Sequence, residues 1–241
     1  MAPAERSPGG EPERFDPRAL ASLPPELALA RLPAGRHGLP RSFVAHNQRL
    51  RIVAGLLRVL PEHGYPATTI GHITGEAGVS RAAFYQQFAG KEECFLATYD
   101  LAGGWFCECV ERSVAAETEW PARIRTGAAE ALRLLAANPL VAHLMAVEVP
   151  QAGRAARDRQ QAMLDRFAAA LRAGHPGRAE LPEDLADLLL GGVVSLIARY
   201  VDSGRTEQLP EATAALVELL LIPYIGERKA SASLSSLSDT G

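Results

Sequence analysis

From Leu50 to Phe95 the apolar positions recur at helical spacing and are interrupted at short intervals by turn residues. Leu50, Val53, Leu57 and Leu60 fall on one helical face, and Ile52, Leu56 and Val59 widen it. Ser42 is placed to cap the start of this helix, and "EHGYP" at 62–66 ends it, with Gly64 suited to a left-handed C-terminal position. Thr69 then caps a short helix whose inner side is Ile70, Ile73 and Ala77. Gly78 ends that helix, and Ser80 caps the next after a tight turn. Phe84 and Phe88, four residues apart, share its inward face, and "AGKEE" breaks and restarts the helix with Lys91 in the first turn.

Three helices with a glycine turn between the second and third describe a helix-turn-helix. An ordinary turn between packed helices is the alternative, and it would leave Tyr85 half-buried. The outer face of the third helix carries Ala82, Tyr85, Gln86 and Ala89. Small, phenol and amide groups keep such a face slim enough for a major groove and able to hydrogen-bond there.

After Phe95 a long helix continues through "LATYDLAGGWFCECVERSVAAE". Further helical segments follow near 122–138, 139–148, 152–173, 183–203 and 210–225, with Pro121, Pro139, Pro150, Pro176, Pro182 and Pro210 at their boundaries. No segment alternates β-branched and polar residues over a strand's length, so the fold class is all-α. The pattern predicts a flexible arm at 1–40, rich in Pro and Gly, and a three-helix DNA-binding domain at 41–95. A helical bundle for ligand binding and dimerisation follows at 96–226, then a disordered tail at 227–241.

Two bundle helices are too apolar for a solvated surface. One carries Leu185, Leu188, Leu189, Val193, Leu196 and Ile197, with Gly191 and Gly192 allowing close approach; the other carries Leu216, Val217, Leu220 and Leu221. They are either core helices of one chain or a homodimer interface. The second reading is favoured because a helix-turn-helix reads two half-sites through two-fold symmetry. The rest of the bundle is the candidate site for a small molecule. Trp105, Phe106 and Cys109 on the connecting helix are candidate contacts, with His143, Met145, Met163 and Phe167 beyond it. Each alone is more often core than pocket, and His143 reads best as a hydrogen-bonded core histidine. Arg123, Arg125 and Arg133 read as a solvated face.

Composition narrows the picture. Hydrophobic residues make up 47% of the 241 and aromatics only 6%, so the core is aliphatic and alanine-rich. Three cysteines without framework spacing suit a reducing cytoplasm, and Cys107 and Cys109 point to different sides of a helix, so no metal site is expected. No run of about 18 uncharged apolar residues is present, so no membrane span is expected. "ALVELLLIPYI" is short, carries Glu218 and is interrupted by Pro223, and the N-terminus lacks the apolar middle of a secretion signal. From Arg31 to Lys91, eight basic residues face two acidic ones, a net +6 that leaves −9 to the rest of a chain of net charge −3. That asymmetry points to a polyanionic partner for one part, although a solvated basic face would give the same count. No HExxH, phosphate-binding glycine loop or nucleophile with an evident base is present, so neither enzymatic activity nor a cofactor is expected.

The segment "TTIGHITGEAGVSRAAFYQQFAGKEECF", Thr68 to Phe95, resembles the DNA-binding domain of the TetR family of bacterial transcriptional regulators. The paired threonine, the alanine-glycine-valine-serine turn, the phenylalanine-tyrosine-x-x-phenylalanine helix and the glycine-lysine-glutamate-glutamate follow-on carry the likeness. The resemblance implies a homodimer on a palindromic DNA operator, usually a repressor, released by a small-molecule effector. It implies phosphate contacts for Thr69, Gln87, Gln86 and Lys91, and places Arg81, Ala82 and Tyr85 against base edges, with Ser80 among the contact set. His72 stands where the family usually has an acidic residue and Glu76 where a basic one is common, which shifts weight to Arg81 and the arm, where Arg36, His37 and Arg41 either follow a minor groove or phosphates or, the favoured reading, belong to an unbound tail. A DNA-binding protein without an effector is the alternative function, and an all-helical enzyme retaining the domain a more distant one.

Overall fold

The computed structural model describes residues 41–173 and 181–226, and side chains from Ala45 onward. The expected arm at 1–40, the tail at 227–241 and the boundary at Pro176 lie outside the described residues. So do the side chain of Arg41 and any contact made by Arg36 and His37.

Every regular element among the described residues is helical, in keeping with an aliphatic chain without strand periodicity. Helix α1 spans Arg41–Ala67, α2 Ile70–Ala77, α3 Arg81–Gln87 and α4 Lys91–Ser113. Because α1 already includes Arg41, Ser42 lies inside its first turn rather than at its cap. Gly64 breaks the regular helix at φ 67 and ψ 159, so its φ is positive as expected but its ψ is extended. Only glycine adopts that combination without strain.

The head forms where α1 lies across α2, α3 and the start of α4. Ile52, Leu56 and Leu60 of α1 meet Ile73, Phe84, Phe88 and Phe95 in a fully buried cluster. Gly55 makes the crossing possible: a Cβ there would lie 2.9 Å from the Ile73 carbonyl oxygen and 3.0 Å from Ala77 Cβ.

The body is built on α4, whose buried face runs unbroken from Cys94 to Val110 and joins head and body in one core. The expected domain limit at 95/96 therefore falls inside a continuous helix. Around α4 stand α5 (Trp120–Ala137), α6 (Pro139–His143), α7 (Arg154–Ala173), α8 (Leu185–Asp202) and α9 (Thr213–Ile225). Proline at N1 or N2 starts both α5 and α6, which meet at a bend of 107°. A π-helical turn, Leu144–Glu148, extends α6, and a 3₁₀ segment, Thr206–Ala212, precedes α9. Pro223 does not interrupt the apolar stretch as expected. It sits in the last turn of α9, where one missing N–H is tolerated, and the helix runs on to Ile225. One stretch, Thr206–Ile225, does reach the length and hydropathy of a membrane span, contrary to the expectation of none. It packs against α5, and 39% of its apolar window is buried.

Candidate nucleic-acid interface and effector cavity

Local capping builds the turn. The Thr69 hydroxyl accepts the His72 N–H at 3.1 Å, and the Ser80 hydroxyl accepts the Ala83 N–H at 3.1 Å. Each leaves its O–H to donate outward. Gly78, left-handed at φ 62 and ψ 39, closes α2: its N–H reaches the Gly75 carbonyl, and the Val79 N–H reaches that of Thr74.

Arginines from α1 hold both ends of this unit. Buried Arg51 donates to the Ala77 carbonyl at 2.6 Å and the Gly78 carbonyl at 2.7 Å, placing a cation at the negative end of α2. Arg49 donates to the Gln87 carbonyl at 3.0 Å and lies 4.3 Å over the Phe88 ring. Arg58 pairs with Glu76. Lys91 donates to the Tyr65 and Pro66 carbonyls at 2.8 and 3.3 Å, with its ammonium 4.3 Å over the Tyr65 ring, and burial lowers its pKa from the ordinary value. The charge count therefore overstated the polyanion-facing surface. Arg49, Arg51 and Lys91 are engaged within the head because helix ends leave carbonyls that need donors, and Arg58 is engaged by the Glu76 carboxylate.

What faces outward on α3 is Arg81, Ala82, Tyr85 and Gln86, with Gln87 half-buried. Tyr85 is 57% exposed, its ring perpendicular to Phe84 at 5.6 Å, which favours a reading helix over the ordinary-turn alternative. Arg81 lies back over α2: a Cβ on Gly71 would sit 3.2 Å from its Nη2 and 3.5 Å from Thr69 Oγ1. Gly71 thus leaves room for the guanidinium, which joins Thr69 in one patch. Exposed His72 stacks on His63 of α1, with ring centroids 4.2 Å apart.

In the body, a cavity of about 360 Å³ opens between α4, α5, α7, α8 and α9. Of the seven residues predicted to face a ligand, Phe106, Met145, Met163 and Phe167 line it. The other three do not. Trp105 lines a smaller cavity of about 200 Å³ between α1 and α4. Half-buried Cys109 takes a contact of 3.1 Å from the Arg112 guanidinium, and His143 Nε2 meets Glu148 Oε1 at 2.7 Å, as suits a hydrogen-bonded core histidine. The walls are otherwise aliphatic and aromatic; Glu111, Arg123, Gln160 and Arg166 supply the polar groups. Arg166 pairs with Glu111, and Arg123, exposed as a solvated face requires, stands at the rim of this lining. Sequence reasoning missed Trp120, which lines the cavity, donates its indole N–H to the Ala170 carbonyl at 3.0 Å and meets Tyr224 edge-on. Among the described residues no three His, Cys, Asp or Glu side chains gather as a metal set.

The residues expected at a dimer interface divide differently. Leu189, Ile197, Leu216, Val217, Leu220 and Leu221 are buried within their own chain, and Leu185, Val193 and Leu196 are half-buried. Leu188 alone of that set is exposed, at 70%; Leu219 and Ile222 on α9, not anticipated, join it. These helices are apolar on most sides, so their composition does not say which face stays uncovered.

Residues 52–98 match the family model described as bacterial regulatory proteins, tetR family. No curated protein sequence matches the chain. Among solved structures, a fatty acid degradation regulator FadR from Bacillus halodurans is 19% identical, with a TM-score of 0.66 over 72% of this chain and 94% of that one. The transcriptional regulator FadR from Bacillus subtilis, solved with stearoyl-CoA, is 19% identical, with a TM-score of 0.63 over 73% of this chain and 98% of that one. PfmR of Thermus thermophilus, a TetR family transcriptional regulator, is 22% identical, with a TM-score of 0.57 over 71% and 97%. These likenesses extend the match from the head to the fold of the body.

Proposed function

We propose, from the premise that this chain belongs to the TetR family of bacterial transcriptional regulators, that it is a cytoplasmic homodimeric repressor released from a palindromic operator by an apolar small molecule. Tyr85, Ala82 and Gln86 form the reading face in the major groove. Thr69, Ser80 and Gln87 grip the backbone, and Arg81, resting beside Thr69, joins them as a phosphate contact. Lys91 acts mainly by positioning the turn at Tyr65 and Pro66. The dimer face is the exposed strip of Leu188, Gly191, Gly192 and Ser195 on α8 beside Leu219 and Ile222 on α9. The chain works by binding and not by catalysis.

The observation that carries the effector reading is the apolar cavity of about 360 Å³ that opens between the helices of the body, within the usual size of ligand sites. An extended alkyl tail suits those walls, and Arg123 and Arg166 on the lining suit an anionic head group. The stearoyl-CoA held by the Bacillus subtilis FadR supports a fatty acyl thioester as the ligand class. Calorimetric titration with octanoyl-, dodecanoyl- and stearoyl-CoA tests it. Each methylene buried contributes about 0.8 kcal/mol, so affinity rises about fourfold per methylene until the cavity is filled. Affinity independent of chain length contradicts the assignment.

A further inference from the structure

Glu148 is 1% exposed and lies away from both the reading face and the cavity lining. It ends the π-helical turn Leu144–Glu148. Such a turn holds one residue more than an α-helical turn and shifts its side chains out of register. Here it gives Met145 and Ala146 to the cavity wall and turns Glu148 toward the head. One carboxylate oxygen accepts the Tyr65 N–H at 2.6 Å, and the other meets His143 Nε2 at 2.7 Å.

Tyr65 follows Gly64, the point where α1 breaks. Its carbonyl, in the following peptide, accepts from Lys91, and its ring packs edge-on against Phe95 at 4.9 Å. Thr68 bonds back to the Gly64 carbonyl through both its N–H, at 3.0 Å, and its hydroxyl, at 2.7 Å, and the next residue, Thr69, caps α2. A continuous run of contacts thus leads from the cavity wall through Glu148 and Tyr65 to the start of the helix-turn-helix.

We propose that Glu148 is the latch between body and head. In the arrangement seen here it holds the Tyr65 amide and fixes α2 and α3 in position to read DNA. A ligand that displaces Met145 and Ala146 draws the carboxylate off that amide. The inference rests on the cavity being the effector site. His143 lies on the same element and moves with Glu148, so the withdrawn carboxylate stays paired, which a buried charge requires. The half-buried Tyr65 segment can take water in exchange. The two arrangements then differ by one charge-assisted hydrogen bond, a contact of the kind that a switch between two packings turns on.

The test uses the full chain and stearoyl-CoA as probe, with Trp120 fluorescence in a Trp105→Phe background reporting cavity binding and anisotropy reporting operator binding. In the wild type the probe weakens operator binding by at least about fivefold. Glu148→Met removes the acceptor at similar volume: the probe binds at least as tightly as in the wild type, since no latch has to open, but the ratio of operator affinities with and without it falls to near one. Glu148→Gln, which keeps an acceptor oxygen, restores part of the ratio. A Glu148→Met protein with the wild-type ratio overturns the latch. A second comparison needs neither ligand nor that variant. Ala131→Phe, from α5, fills the cavity, and is expected to speed hydrogen exchange at the Tyr65 amide and weaken operator binding. Unchanged exchange at Tyr65 overturns the latch as well. If stearoyl-CoA does not bind the wild type, the acyl-thioester reading fails, and the Ala131→Phe comparison still decides whether Glu148 couples cavity and head.

Discussion

Arg51→Met separates the charge that builds the head from the charge that meets DNA. The substitution keeps an apolar stem and removes the guanidinium from the Ala77 and Gly78 carbonyls. Ala77 is buried and Gly78 exposed, so water can replace the donor at Gly78 but not at Ala77. One buried carbonyl left unsatisfied costs about 1–3 kcal/mol. Loss of a cation at a helix C-terminus adds about 0.3–1 kcal/mol, more in a partly buried setting. The sum is roughly 3 kcal/mol, which lowers the melting temperature of a chain this size by roughly 6–12 °C. Circular dichroism melts of wild type, Arg51→Met and Arg81→Ala, with anisotropy on operator and scrambled duplexes below the lower midpoint, make the comparison. Arg51→Met is expected to lose stability and keep most of its sequence preference, whereas Arg81→Ala keeps stability and loses affinity. An Arg51→Met protein as stable as wild type that no longer binds operator would refute the capping role.

Other outcomes follow from the same geometry. Arg81→Ala should weaken operator and scrambled DNA alike and flatten the slope of log affinity against log salt by about 0.9, whereas Tyr85→Ala should weaken mainly the operator; the reverse pattern returns Arg81 to the reading face. Leu188→Glu with Ile222→Glu should sediment as a folded monomer, while Leu189→Glu should not fold, because it buries an unpaired charge in the chain's own core; a dimeric double variant refutes the strip on α8 and α9. Burial pushes the Cys94 thiol up to about 12 and raises that of Cys107, while Cys109 is half-exposed. Ellman's reagent at neutral pH should therefore label one thiol in the folded protein and all three in guanidinium; fast labelling of a second folded thiol contradicts the packing around α4.

The helix-turn-helix was legible because its signals are local. Thr69, Gly78 and Ser80 act within four residues of themselves, and Phe84 and Phe88 need only helical spacing to face inward together. The direction of the arginines was not legible. Arg51 turns inward because the end of α2, more than twenty residues away in sequence, happens to present its carbonyls there, and counting charge along the chain cannot register that. Nor does periodicity choose a face on α8 or α9, where apolar residues surround the axis: Leu189 and Leu220 became core, and Leu188 and Leu219 stayed outside. The cavity was legible in part: four of its expected contacts line it, and Trp105, Cys109 and His143 do not. Phe106, Met145, Met163 and Phe167 have the composition of a core, and only the assembled helices decide that they border a space. Glu148 carries no local mark, since its partners are a backbone amide from α1 and a histidine at an unusual spacing of five.

The most direct measurement is selection of bound duplexes from a random DNA pool by the purified full chain, followed by anisotropy on the enriched sequence with and without stearoyl-CoA. A ligand-released dimeric repressor should enrich an inverted repeat, bind it as two chains per duplex, and lose at least about fivefold in affinity when the acyl thioester is added. Failure to enrich any sequence would contradict the reading of α3 as a recognition helix. Enrichment with an affinity indifferent to stearoyl-CoA and to the shorter acyl thioesters would contradict release by an acyl ligand.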